Sequence, residues 1–160
     1  MLSMKKYIYL FFFIGALTLS CKQEDPGPII PQLQFLSYTS LDSNPNDLYT
    51  DSLAINLSFQ DGDGDIGFQK DELKDLSDLF VTQYDKVGKV LLVTELEPGY
   101  RIPYIEPQGN NKSIKGTITI KILTLLTDTN DTMHFSLFLK DRAFHSSNKV
   151  ITPNIIINHK

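Results

Sequence analysis

Tryptophan is absent from this chain, and cysteine occurs once, at Cys21. One cysteine makes no intramolecular disulfide, and no thiolate cage for a metal. The nucleophile elbow Gly-x-Ser-x-Gly, the phosphate-binding loop and the His-Glu-x-x-His zinc motif are all missing. Of the three histidines, His134 falls on the outward face of an expected strand, His145 in a loop and His159 in the tail. A lone histidine in such a place is much more often solvated than catalytic. Basic charge is scarce too. Lysine and arginine number 15 against 19 aspartates and glutamates. That balance argues against nucleic acid as a partner, because phosphate backbones are held by clustered cations. The longest apolar run, Tyr7 to Leu17, is too short to cross a bilayer comfortably.

That run carries a different meaning. Lys5 and Lys6 precede it, and Leu17-Thr18-Leu19-Ser20-Cys21 follows. A basic start, an apolar middle and a small residue before the end describe a secretory signal. Ser20 directly before Cys21 resembles a bacterial lipobox, with Thr18 where leucine is more usual. The resemblance implies cleavage before Cys21 and acylation of that cysteine. Residues 1–20 are then the signal peptide. Their loss removes two basic and no acidic residues, which leaves 13 against 19 and a formal charge of −6. Lys22, Gln23, Glu24 and Asp25 resemble the surface-export signal of Bacteroidetes lipoproteins. Residues 21–31 read as the lipidated cysteine and a proline-rich tether. Its ten residues from Lys22 to Pro31 reach about 33 Å if extended. The expected location is the outer membrane, through a lipid anchor and facing the cell surface.

Residues 32–160 are long enough for one domain with its own core. Leu53, Ile55, Leu57 and Phe59 alternate with Ala54, Asn56, Ser58 and Gln60. That two-residue period marks a strand with one buried face. Similar alternation predicts strands over 116–123 and 132–139. Shorter patterns predict strands over 33–38, 80–84, 89–96 and 150–157, with Pro153 at an edge or bulge. Residues 85–88 are expected to turn 80–84 into 89–96. Leucines at 73, 76 and 79 predict a short helix over 70–79. The expected fold is all-β: an antiparallel sandwich of about seven strands, immunoglobulin-like or fibronectin-like. A jelly roll or open barrel is the alternative.

Asp61-Gly62-Asp63-Gly64-Asp65-Ile66-Gly67 stands out from the rest. Carboxylates at alternate positions repel one another unless water, backbone donors or a cation compensates them. Hard cations such as calcium take several oxygens from runs of this kind. Two readings follow: a calcium loop, or an acidic turn that only reverses the chain. It is not an EF-hand. Counting from Asp61, Glu72 falls at the twelfth place as that motif requires, but Ile66 occupies the sixth, where glycine is needed. The preceding segment also reads as a strand.

If the strands alternate in direction, the loops after the second, fourth and sixth share one end of the sandwich. Asp61, Asp63, Asp65, Tyr100, Tyr104, Asp141, Arg142 and His145 would then cluster. Asp141 becomes a further metal ligand, and Tyr100, Tyr104 and Arg142 become binding residues. Arg142 beside Asp141 reads as a surface or loop-bracing pair more than as an anion site. The three aspartates are too close in sequence to flank a glycosidic bond, so they do not form a glycosidase pair.

Leu57 to Gly67, then Leu139-Lys140-Asp141-Arg142-Ala143 with Ser146-Ser147-Asn148, resemble small Bacteroidetes surface lipoproteins. The resemblance implies an exported β-sandwich and says little of activity. The function expected is non-enzymatic: an accessory subunit docking on an outer-membrane β-barrel complex for transport, secretion or barrel assembly. The alternative is a binding module for glycans or another ligand at the loop end.

Overall fold

The computed structural model describes residues 26–41, 50–69, 77–87, 89–95, 99–107, 112–125 and 132–156. Cys21 and the Lys22–Asp25 segment lie outside them. Among the described residues there is no helix, and the fold is a β-sandwich of two antiparallel sheets. In chain order the strands are β1 (Gln32–Leu41), β2 (Thr50–Asp61), β3 (Leu79–Val87), β4 (Val90–Glu95), β5 (Ile114–Leu125), β6 (Thr132–Leu139), β7 (Val150–Ile151) and β8 (Ile155–Ile156). One sheet runs β1-β2-β5. The other runs β4-β3-β6-β7, with β8 also paired to β6.

Alternation in the sequence becomes burial in the sandwich. Leu53, Ile55, Leu57 and Phe59 of β2 face Met133, Phe135, Leu137 and Leu139 of β6 within one continuous core. On the outer face of the larger sheet, Phe80 stacks on Phe138 and Tyr84 on His134, each pair 4.8 Å between ring centres. His134 is thus a surface stacking residue.

Several expected boundaries move. The turn assigned to residues 85–88 is shorter, because Asp85, Lys86 and Val87 are still paired, with Leu92, Leu91 and Val90. Only residues 88 and 89 separate β3 from β4, the length that two-residue hairpins use. Leu79 opens β3 and does not close a helix; residues 70–76 of the expected helix lie outside the described residues. The last expected strand is split in two. Pairing with β6 shifts by one residue between Val150–Ile151 and Ile155–Ile156. Pro153 lies in the gap, where a missing N–H breaks no ladder. Thr152 repairs the ladder beside it: its N–H donates to the Phe135 carbonyl, and its hydroxyl accepts from the Phe135 N–H, both at 2.9 Å.

The tether also differs from an extended linker. The Gly62 N–H donates to the Pro28 carbonyl at 2.9 Å, and Pro31 is buried. At Gly27 and Pro28 the chain lies against the acidic loop.

Candidate metal centre at the loop end

Asp61 is the last residue of β2, paired with Ile114 of β5. The strand delivers its side chain to the end of the sandwich with no exposure to solvent. Ile66 and Phe68, buried in the core, then pin the far side of the loop. Gly64 and Gly67 have φ of 70° and 83°, in the left-handed region that favours glycine. The acidic run is therefore held at both ends by burial. It is not a turn hanging in solvent.

Each carboxylate has a defined place. The Asp65 N–H donates to Asp61 Oδ2 at 2.9 Å, which closes the loop on itself. The Ala143 N–H donates to Asp65 Oδ2 at 3.1 Å, and the Arg142 N–H donates to the Asp65 carbonyl at the same distance. Asp61, Asp63 and Asp65 each offer an oxygen to a group whose members lie within 4.8 Å of one another. One buried oxygen on each of the three, Oδ1, has no hydrogen-bond partner. A buried carboxylate oxygen without a donor is costly, and a cation is one group that would compensate three of them side by side. Burial pushes the Asp61 carboxyl up to about 6, against the pull of the Asp65 N–H and with further push from Asp63, Asp65 and Asp141. Asp65 is also raised, first by burial and then by Asp141 and Asp63.

The donor set fits a hard divalent cation. All the free atoms are carboxylate oxygens, which suit calcium over softer metals. Three carboxylates fall short of the six to eight oxygens calcium takes, so backbone carbonyls or water would complete the shell.

The three loops do meet. Phe68 bridges to Pro103, the Arg142 guanidinium is 3.5 Å from the Gly67 carbonyl, and it lies 4.8 Å from the centre of the Tyr104 ring. Arg142 and Tyr104 are thus each other's partner across two loops. The expected Asp141–Arg142 pair is replaced. Asp141 is fully buried and spends both oxygens on His145, accepting from its N–H at 2.7 Å and meeting Nδ1 at 2.9 Å. Asp141 stands outside the group of three and acts on it as a nearby negative charge. A His–Asp contact of this kind orients general bases in hydrolases, but here it closes a five-residue turn. At the tip, Phe144 is held at φ 66° and is exposed.

Tyr100 is placed by its backbone, which exchanges hydrogen bonds with Leu79 at 2.9 and 3.0 Å. Its ring packs on the core and lines a cavity of about 440 Å³ together with Phe59, Ile102, Ile105 and Ile118. Burial raises its phenol above the ordinary tyrosine value.

Asp78 is a buried carboxylate that the sequence pattern does not flag. Its Oδ2 accepts from the Ile102 N–H at 2.9 Å, while its Oδ1 has no partner. Burial raises its carboxyl, opposed by that N–H, Arg101 and Arg142. The one signal available was an acid set among apolar neighbours, Leu76-Ser77-Asp78-Leu79-Phe80. Asn148, exposed at the surface, has a structural role. Its side chain bonds both the N–H and the carbonyl of Leu33, at 2.9 and 2.8 Å, and ties β1 to the loop after β6.

Fold and site together define a class: an all-β sandwich with a partly buried three-aspartate loop at the end where the segment before β1 arrives. No protein-family model, curated protein or solved structure matches this chain.

Proposed function

We propose that this chain is a non-enzymatic, lipid-anchored outer-membrane module, immunoglobulin-like in topology. It docks on a larger β-barrel complex, and a calcium ion fixes its loop end. The observation that carries the reading is the Asp61-Asp63-Asp65 group with one unpaired buried oxygen on each residue. Such a group is stable with a cation and costly without one. The strand order β1-β2-β5 against β4-β3-β6-β7 supports the immunoglobulin-like assignment. The calcium loop sits among three loops that brace one another, as binding loops on a rigid sandwich do. The deciding experiment is affinity capture from detergent-solubilised membranes, in calcium and in chelator. A stoichiometric barrel protein retained in calcium and lost in chelator is the expected result. Absence of such a partner in both conditions sinks the docking reading.

Cys21→Ala should leave the protein soluble or at the inner membrane, since a multiply acylated cysteine anchors far more firmly than one chain. Fractionation with lipid mass analysis checks this. An Ala variant still in the outer membrane, with no lipid mass on the intact protein, defeats it. Replacing Lys22 to Asp25 by alanine should shield the domain from protease added to whole cells. Equal digestion of both forms removes the export signal.

A second reading, a glycan-binding module, is favoured by the cavity beside Tyr100. Glycan-array binding without a barrel partner would select it over docking.

A further inference from the structure

Outside the loop end, β4 is the feature that the fold leaves unexplained. Among the described residues it is the outer strand of the five-stranded sheet and is paired with β3 alone. Val90, Leu91, Leu92 and Val93 are exposed by 58, 55, 50 and 56%. Successive strand residues point to opposite faces. Both faces of β4 are therefore open to solvent. Soluble β-proteins protect such edges with charge, proline or a bulge. None lies between Val90 and Val93, and the register with β3 runs unbroken from Thr82↔Glu95 to Val87↔Val90.

We propose that β4 pairs antiparallel with β4 of a second copy of this chain, about a two-fold axis at Leu92, joining two five-stranded sheets into one. The sequence Lys89-Val90-Leu91-Leu92-Val93-Thr94-Glu95 is complementary to itself in this register. Leu92 meets Leu92, Leu91 meets Val93, and Val90 meets Thr94. Residue 89, a lysine, falls across from residue 95, a glutamate, on both sides of the axis. Opposite charges directly across a strand pair stabilise it. A slip of one residue either way separates the two charges and turns the apolar faces over. A strand partner also suits the exposure better than a packed surface does. Only an added strand satisfies the free backbone groups and brings apolar neighbours to both faces at once. The two-fold closes the contact, because each copy spends the same edge.

Cysteine cross-linking in the full-length, membrane-anchored chain tests this. The wild type, with Cys21 alone, sets the background. Residues directly opposite in an antiparallel pair have Cα atoms about 4.5 to 5.5 Å apart, within disulfide range. Leu92→Cys should give a disulfide-linked homodimer under mild oxidation. Val90→Cys should not, since its two copies lie four residues out of step, roughly 13 Å apart. The yield should differ by about tenfold or more. Lys89→Glu should reduce the Leu92→Cys dimer several-fold, and adding Glu95→Lys should restore it. A Leu92→Cys yield at background, equal yields at positions 90 and 92, or a cross-link to a different protein overturns the proposal. The last outcome would mean that another chain's strand occupies the edge.

Discussion

Millimolar calcium is expected to raise the melting temperature of this protein by roughly three to eight degrees near neutral pH. The size follows from linkage. A cation that binds only the folded state adds RT ln(1 + [L]/Kd), about 2.7 kcal/mol at a hundredfold excess. Extracellular calcium sites are weak, with Kd on the order of 0.1 to 1 mM, so a few millimolar gives less than that. Magnesium should do less, since it demands stricter octahedral geometry and gives up water reluctantly.

Without the cation the pH dependence runs the other way. The Asp61 carboxyl is raised to about 6 in the folded state, while in the unfolded chain it returns to the ordinary value of about 4. A raised carboxylate means that the folded state holds the proton more tightly. Its contribution to stability is full below the unfolded value and is lost as pH rises through the folded one. Calcium-free protein should therefore lose about 1 kcal/mol from Asp61 alone between pH 5 and pH 7. Asp63, Asp65 and Asp141 push in the same direction. Among the described residues His145, held by Asp141, is the histidine beside them, and Arg142 is a nearby fixed cation.

Calcium needs the ionised form, so its stabilisation should be large near neutrality and nearly absent at about pH 5. Asp63→Asn should reduce the calcium shift by removing a charge from the group of three. In chelator the same variant should be slightly more stable, because repulsion is relieved. Calorimetric melts of both proteins, at both pH values, with calcium and with chelator, check all of this. No calcium shift in the wild type at neutral pH leaves the loop as an acidic turn.

The second large effect is expected at Gly64. Its φ of 70° is strained for any residue with a Cβ. An added Cβ would also run into the Lys112 carbonyl oxygen and stand 2.6 Å from Pro107 Cγ. Left-handed strain alone costs about 1 to 3 kcal/mol, and backbone in the way adds to it. Gly64→Ala should destabilise the protein by roughly 2 to 4 kcal/mol, seen as a melting temperature lower by about ten degrees. It should also weaken the calcium response, because the loop must move to accept the methyl group. Gly62→Ala is the control. Its Cβ would meet the Gly27 and Pro28 carbonyls, 2.5 and 2.7 Å away, so it presses on the tether and not on the loop before β5. A smaller loss is expected there. Equal losses at both positions would mean that the contact with Pro107 and Lys112 does not govern this loop.

The alternating pattern from Leu53 to Gln60 was enough to place β2, and with it the position of Asp61 at a strand end. The same held for the centres of β5 and β6. Alternation is a local property of a half-buried strand, so it survives in the sequence whatever lies opposite. Counting strands in alternate directions also brought three loops to one end, because antiparallel neighbours leave no other choice. The sequence could not say which carboxylates lose their water. Asp61 and Asp141 are fully buried, and Asp78 is buried just as deeply, marked in the sequence only by its apolar neighbours. That outcome depends on which loop lies over each residue, a matter of packing between segments far apart in the chain.

Partner choice among the loops was equally hidden. Arg142 turns from its neighbour Asp141 to the Tyr104 ring 38 positions away, since Asp141 is already satisfied by His145. β4 makes the same point at the opposite extreme. Its apolar run reads like any core strand, yet in the fold residues 90–93 are exposed. Local periodicity fixes which residues share a face; what that face meets is decided by the rest of the fold.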